Sequence, residues 1–203
     1  MGKGCTAVQN VALLKYARNY KIYPTWNMLC AIPGEERIDY EQIISLIPLL
    51  HHLPSPSLTG SIMFSRFSRY CTSPEEFGLE LGPEDINHLS YPGNEDLIRN
   101  MGANLKLTGG TFFDVKKQNQ DLYQRLNDAV AKWRKLNFQA PRVYLTGLRA
   151  RIYRLAWEPV SLHTIYKALP DDSEEDIRSC LSDLATRKLM IFLSNRYLAL
   201  ATM

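Results

Sequence analysis

The stretch from Tyr23 to Glu36, Tyr-Pro-Thr-Trp-Asn-Met-Leu-Cys-Ala-Ile-Pro-Gly-Glu-Glu, limits the fold more than any other part of the chain. Thr25 to Ile32 is mostly apolar yet too short for a globular helix, which leaves a buried strand. Pro33-Gly34 then stops the strand and supplies a tight loop in which backbone N–H groups can approach a ligand. A helix follows. Asp39 with Gln42 behind it has the pattern of a capping box, and Ile43, Ile44, Ile47 and Leu50 continue an apolar face. A βα turn that holds no ligand satisfies the same spacing.

The neighbouring segments extend this unit. Residues 7–20 place Val8, Val11, Ala12, Leu13 and Leu14 on a helix that packs on the strand, reached through Lys21 to Pro24. Beyond the loop His51-His52-Leu53-Pro54-Ser55-Pro56, the run Ser61 to Tyr70 alternates Ile62, Phe64 and Arg66 against Met63, Ser65 and Phe67, which predicts a second strand. Strand, helix and strand in this order make a right-handed βαβ crossover. Two parallel strands bury too little to stand alone, so more strands or a partner must complete them.

From Cys71 to Leu107 the chain is rich in Pro, Gly, Asn and acidic residues, which predicts irregular structure with short helical turns and one strand. Thr111 to Asn137 returns to strong periodicity, with Leu122, Leu126, Val130 and Trp133 on one face of a single connecting helix. The last part has its own signature. Thr146, Ser161 and Ser173 (with Asp176) are placed to cap three helices, carrying Leu148, Ile152 and Leu155, then Leu162, Ile165 and Leu169, then Ile177, Leu181 and Leu184. Met190 to Leu193 and Arg196 to Leu200 follow as two strands about a Ser194-Asn195 turn. Helix, helix, helix, hairpin is the order of a winged helix. The chain thus divides into residues 1–70, 71–140 and 141–203.

Composition narrows the function classes. With 45% hydrophobic and 22% charged residues over 203 positions, the chain is neither disordered nor a membrane protein. No apolar run approaches the roughly 20 residues needed to span a bilayer, and Met1-Gly-Lys-Gly lacks the apolar core of a secretory signal, so the cytoplasm is the expected location. The net charge of +3 is spread evenly, which argues against nucleic acid as partner. The third tail helix opens Ser173-Glu-Glu-Asp and would repel phosphate; Arg149, Arg151 and Arg154 read as a solvated face of the first. Cys5, Cys30, Cys71 and Cys180 are scattered without a ligand spacing, and His51-His52 has no third ligand nearby, so no metal site is read. His88 and His163 stand alone. Glu35 and Glu36 are placed for acid and base work, but the helix N-terminus already accounts for their charge.

Four segments carry a resemblance: Lys3-Gly-Cys-Thr-Ala-Val-Gln-Asn-Val-Ala-Leu-Leu-Lys-Tyr, Pro24-Thr-Trp-Asn-Met-Leu-Cys-Ala-Ile-Pro-Gly-Glu, His52-Leu-Pro-Ser-Pro and Arg66-Phe-Ser-Arg-Tyr. Together with the tail segments Leu145-Thr-Gly-Leu-Arg-Ala-Arg-Ile-Tyr and Arg196-Tyr-Leu-Ala-Leu-Ala, they resemble the C-terminal part of the cobalamin-binding radical S-adenosylmethionine enzymes of ribosomal peptide (RiPP) maturation. The resemblance implies an α/β fold: an incomplete parallel β/α (partial TIM-type) barrel followed by a mainly helical, winged-helix-like C-terminal domain. In full members a cobalamin domain precedes the barrel, and a CxxxCxxC loop binds a four-iron four-sulfur cluster whose free iron chelates S-adenosylmethionine. That motif is not in this sequence.

By the same resemblance, Ala31, Ile32, Pro33, Gly34 and Glu35 lie where a late barrel strand meets the adenine of S-adenosylmethionine, and Phe64, Arg66 and Phe67 lie on the strand that flanks the ring. An apolar wall with backbone hydrogen-bonding groups is what such a ring needs. Ala31 stands where the family more usually has glycine. Met1 falls just before a helix internal to full members, which implies a truncated or split protein whose N-terminal half is lost or encoded separately, with no cofactor held by this chain alone. Two readings stay open: a portion of a radical C-methyltransferase-like enzyme acting with a missing half on a ribosomal precursor peptide, or a noncatalytic module that binds a peptide or protein.

Overall fold

The computed structural model describes residues 4–85, 98, 104–136 and 143–201. The chain divides into two compact units that each gather distant segments: Met1–Thr25, Ile47–Ser55 and Lys132–Met203 in the first, Trp26–Leu46 and Pro56–Ala131 in the second. Both units are discontinuous in sequence. The fold is mixed α/β with three small sheets, and among the described residues no sheet closes into a barrel.

The second unit begins with strand β1 (Asn27–Cys30), helix α2 (Arg37–Leu46) and strand β2 (Leu58–Ser61). The strands pair in parallel, Asn27 opposite Leu58 through Cys30 opposite Ser61, so the strand, helix, strand order is observed. Two expectations are corrected. Asp39 is the third residue of α2 rather than its cap: its Oδ2 accepts the Glu36 N–H at 2.9 Å, because the helix already starts at Arg37. The run Ser61 to Tyr70 is not one strand. It leaves β2 after Ser61, and Phe64–Ser65 (β3) joins a different, antiparallel sheet in the order β3-β5-β4, with β4 at Glu80–Pro83 and β5 at Asn104–Gly109. Arg69–Thr72 (α3) is helical. The alternation of Ile62 to Phe67 fits an extended chain in either sheet, and only β5, some forty positions later, decides between them.

The segment 71–107 therefore holds two strands rather than one, and its residues 86–97 and 99–103 lie outside the described residues. Gly110 fixes the way β5 turns into helix α4 (Thr111–Gln118). Its φ is +91°, and a Cβ there would stand 2.3 Å from the Gly78 carbonyl oxygen, which instead accepts the Phe112 N–H at 3.1 Å. The single helix expected over Thr111 to Asn137 is two helices, α4 and α5 (Gln120–Leu136). They break at Asn119, which is buried and caps α4 while its carbonyl accepts from Leu122 and Tyr123. Asn137 lies outside the described residues. The face of α5 is as read, with Leu122, Leu126, Val130 and Trp133 all fully buried. The core of this unit gathers Ala31, Phe64, Leu79, Leu81 and Phe112, with Tyr70 edge-on to both Phe64 and Phe77.

The first unit holds α1 (Ala7–Asn19) and the tail helices α6 (Gly147–Leu155), α7 (Leu162–Ala168) and α8 (Glu174–Thr186), followed by the hairpin β6 (Met190–Leu193) and β7 (Arg196–Ala199). Thr6 opens α1 with a full capping box to Gln9. Ser161 and Ser173 cap α7 and α8 as expected, whereas the Thr146 side chain makes no capping bond to α6. Ser194 and Asn195 turn the hairpin with φ of 52° and 58°, and Val160 bridges Tyr197 on the outer side of β7. Ile152, Ile165, Ile177, Leu181, Leu184 and Met190 meet in one core. Along α1, Val8, Val11, Ala12 and Leu14 are buried but Leu13 is exposed, and Lys15 is buried in its place.

Candidate functional site

A polar cluster of the second unit sits at the C-terminal end of β1, in the loop 31–35. Ala31 and Gly34 both take positive φ, 55° and 88°, so the chain reverses sharply as it leaves the strand. Tyr40, buried on the first turns of α2, reaches back over this loop. Its hydroxyl accepts the Ala31 N–H at 2.9 Å and donates to the Glu35 carboxylate. Glu35 Oε2 also accepts the Ile32 N–H at 3.1 Å, and the Glu35 N–H donates to the Ile32 carbonyl at 3.1 Å. One carboxylate and one phenol thus satisfy two backbone donors that the left-handed turn removes from any strand.

Burial pushes the Glu35 carboxyl above the usual carboxylate range, opposed by its bonds from Tyr40 and Ile32. Tyr40 is raised by burial and by the adjacent carboxylate. Cys30, one residue before the loop, is buried, and burial pushes its thiol up, against a hydrogen bond with Ser61. A thiol held protonated is a poor metal ligand and a poor nucleophile. Tyr123 lies edge-on to Tyr40 at 5.3 Å between ring centroids. Arg37 braces the helix start by donating to Asn119 Oδ1 at 2.9 Å and to Asp121 at 3.1 Å.

The structure places the expected wall residues unevenly. Ala31 and Ile32 are buried, Pro33 and Glu35 half-buried, Gly34 exposed. Phe64 shares the core cluster of Ala31, while Arg66 is half-buried and Phe67, 84% exposed, lies outside that cluster. The apolar character an adenine needs is present at Ala31, Ile32 and Phe64. The backbone donors are not at its disposal, since the N–H groups of Ala31 and Ile32 are held by Tyr40 and Glu35. Among the described residues no three His, Cys, Asp or Glu groups are placed to hold a metal, and Cys5, Cys30, Cys71 and Cys180 are all free thiols. Among the described residues this donor set does not fit an iron–sulfur cluster.

Elsewhere, His52 Nε2 lies 2.7 Å from the Leu200 carbonyl, and His51 Nε2 is buried without a partner among the described residues. Burial lowers both imidazoles. His163 is exposed, and His88 lies outside the described residues. Arg149 pairs with Asp183 at 2.7 Å and Arg151 with Asp172 at 2.7 Å, so two of the three arginines of α6 are matched by carboxylates.

Sequence reasoning missed Tyr40, Asn119 and Lys15. Tyr40 was within reach of it, since a tyrosine one turn into a helix that follows a Pro-Gly-Glu loop can fold back on that loop. Comparison with protein-family models, curated proteins and solved structures found no match to this chain. Among the described residues no helix is long and apolar enough to cross a membrane.

Proposed function

We propose that this chain is a protein-binding module whose β1–α2–β2 unit completes the sheet of another polypeptide, contributing surface and positioning rather than chemistry. One observation carries the reading. Parallel strands are normally covered on both faces, yet of the eight residues of β1 and β2 only Cys30 is buried, and Leu29 and Leu58 are 40% and 50% exposed. Among the described residues neither strand has a second neighbour. Such a pair is incomplete by itself, and strand addition from a partner satisfies its free backbone groups and its exposed leucines together.

The resemblance to radical S-adenosylmethionine enzymes of peptide maturation names a partner for this unit: a segment that carries the CxxxCxxC loop and the preceding strands of a partial barrel. On this reading S-adenosylmethionine, the iron–sulfur cluster and cobalamin belong to the partner, and the loop 31–35 offers an apolar wall beside them. The tail, read as a winged-helix-type element, faces a peptide or protein rather than DNA. Its paired arginines and the acidic start of α8, Glu174-Glu175-Asp176, support that choice.

Anaerobic co-expression with the product of the neighbouring reading frame tests the proposal. A co-purifying complex that contains iron and sulfide is expected. Two chains that purify separately, with no complex and no cluster, would end it.

A further inference from the structure

A second surface stands apart from the β1–β2 pair and does not rest on the barrel reading. β3 leads into a tight turn closed by the Ser68 N–H on the Ser65 carbonyl at 3.1 Å, with Arg66 and Phe67 as its central residues. Phe67 has φ of +65° while Arg66 does not have positive φ, the pattern of a type II turn, in which the second central position favours glycine. A phenylalanine there strains the backbone, and with 84% of its surface exposed it returns almost no burial to the fold. Met63, just before β3, is 72% exposed. The turn is anchored at its base, where Ser65 Oγ donates to Asn104 Oδ1 at 3.0 Å and Phe64 is buried.

Arg66 completes the feature. Its guanidinium lies 5.2 Å from the Phe67 ring centroid and has no carboxylate partner among the described residues. Arg69 nearby is already matched, by Glu76 at 2.8 Å. A side chain that costs the free fold stability, beside a cation with no carboxylate partner among the described residues, is the arrangement of an anchor awaiting its counterpart.

We infer that the Ser65–Ser68 turn is a docking point for an acidic peptide segment: Phe67 and Met63 contact an aliphatic or aromatic side chain of that segment, and Arg66 pairs with a flanking carboxylate. A membrane surface fits less well, because stable attachment to anionic lipid draws on several unmatched basic residues and this turn offers one.

Fluorescence anisotropy of the full chain tests this with a labelled synthetic peptide in which Leu and Phe alternate with Asp and Glu. A control replaces the acidic residues by Lys, and sedimentation with phosphatidylserine vesicles runs in parallel. The acidic peptide is expected to bind, the control to bind at least about tenfold more weakly, and F67G and R66Q each to weaken binding about tenfold or more. F67G is expected to melt at or slightly above the wild-type temperature, which separates lost contact from lost fold. Equal binding of both peptides, wild-type affinity in F67G, or attachment to vesicles without peptide binding would each overturn the inference.

Discussion

Lys15 offers the sharpest quantitative test of how the first unit is held together. The side chain is fully buried, and Nζ donates to the Trp157 and Ala199 carbonyls (the latter at 3.0 Å) while lying 3.7 Å from the Trp157 ring centroid. Burial lowers its pKa from 10.5 to about 8, with Glu158 acting weakly the other way. The unfolded chain therefore binds more protons than the native one between these two values. Stability must rise with pH across that window, as the cost of burying the ammonium is removed. A shift of this size corresponds to about 3 kcal/mol in all, and to roughly 2 kcal/mol between about pH 7.5 and pH 9.5, a window in which tyrosine ionisation acts equally on wild type and on a variant without the lysine. Urea unfolding of wild type and K15M at those two pH values isolates the effect. Wild type should gain about 2 kcal/mol relative to K15M, which keeps the aliphatic stem but has no proton to lose. A wild-type chain whose pH dependence matches that of K15M would refute the reasoning.

Four further outcomes follow from the loop 31–35 and from the start of α8. Y40F leaves the buried Ala31 N–H without its acceptor and should cost about 1–3 kcal/mol in chemical denaturation; E35Q should flatten the fall in stability that wild type shows as pH rises just above the usual carboxylate range, because the native state holds the Glu35 proton more tightly than the unfolded chain. At Ala31, φ of +55° costs about 1–2 kcal/mol that glycine would relieve, against about 0.5–1 kcal/mol of added chain entropy and about 0.8 kcal/mol of lost methyl burial, so A31G should stay within about 1 kcal/mol of wild type while A31V loses at least about 2 kcal/mol. S173A removes the acceptor for the Asp176 N–H at the start of α8 and should lower stability by about 1 kcal/mol in thermal melts.

Much of the fold was legible because its signals are local. Ser161 and Ser173 announce α7 and α8, Ser194-Asn195 marks the hairpin, and the spacing of Leu122, Leu126, Val130 and Trp133 fixes the face of α5. What escaped depends on partners far away in sequence. Nothing local marks Lys15, which is enclosed by carbonyls 142 and 184 positions later. The split of Ser61 to Tyr70 is decided by pairing with Leu105 and Asn104, and alternation alone does not distinguish two sheets. Asn119 breaks a helical run without Gly or Pro to mark it. At the candidate site, the apolar residues 31–32 were visible, but Tyr40 and Glu35 consume the backbone donors that made the loop attractive, and only the folded arrangement reveals that.

The central claim is that β1 and β2 are finished by another polypeptide. Hydrogen exchange on Asn27–Cys30 and Leu58–Ser61, alone and with the co-expressed product of the neighbouring reading frame, tests it most directly. The account predicts that amides of these strands become markedly more protected in the complex, while those of the tail hairpin Met190–Leu193 and Arg196–Ala199 change little. Unchanged exchange in both strands, with or without a complex, would contradict it.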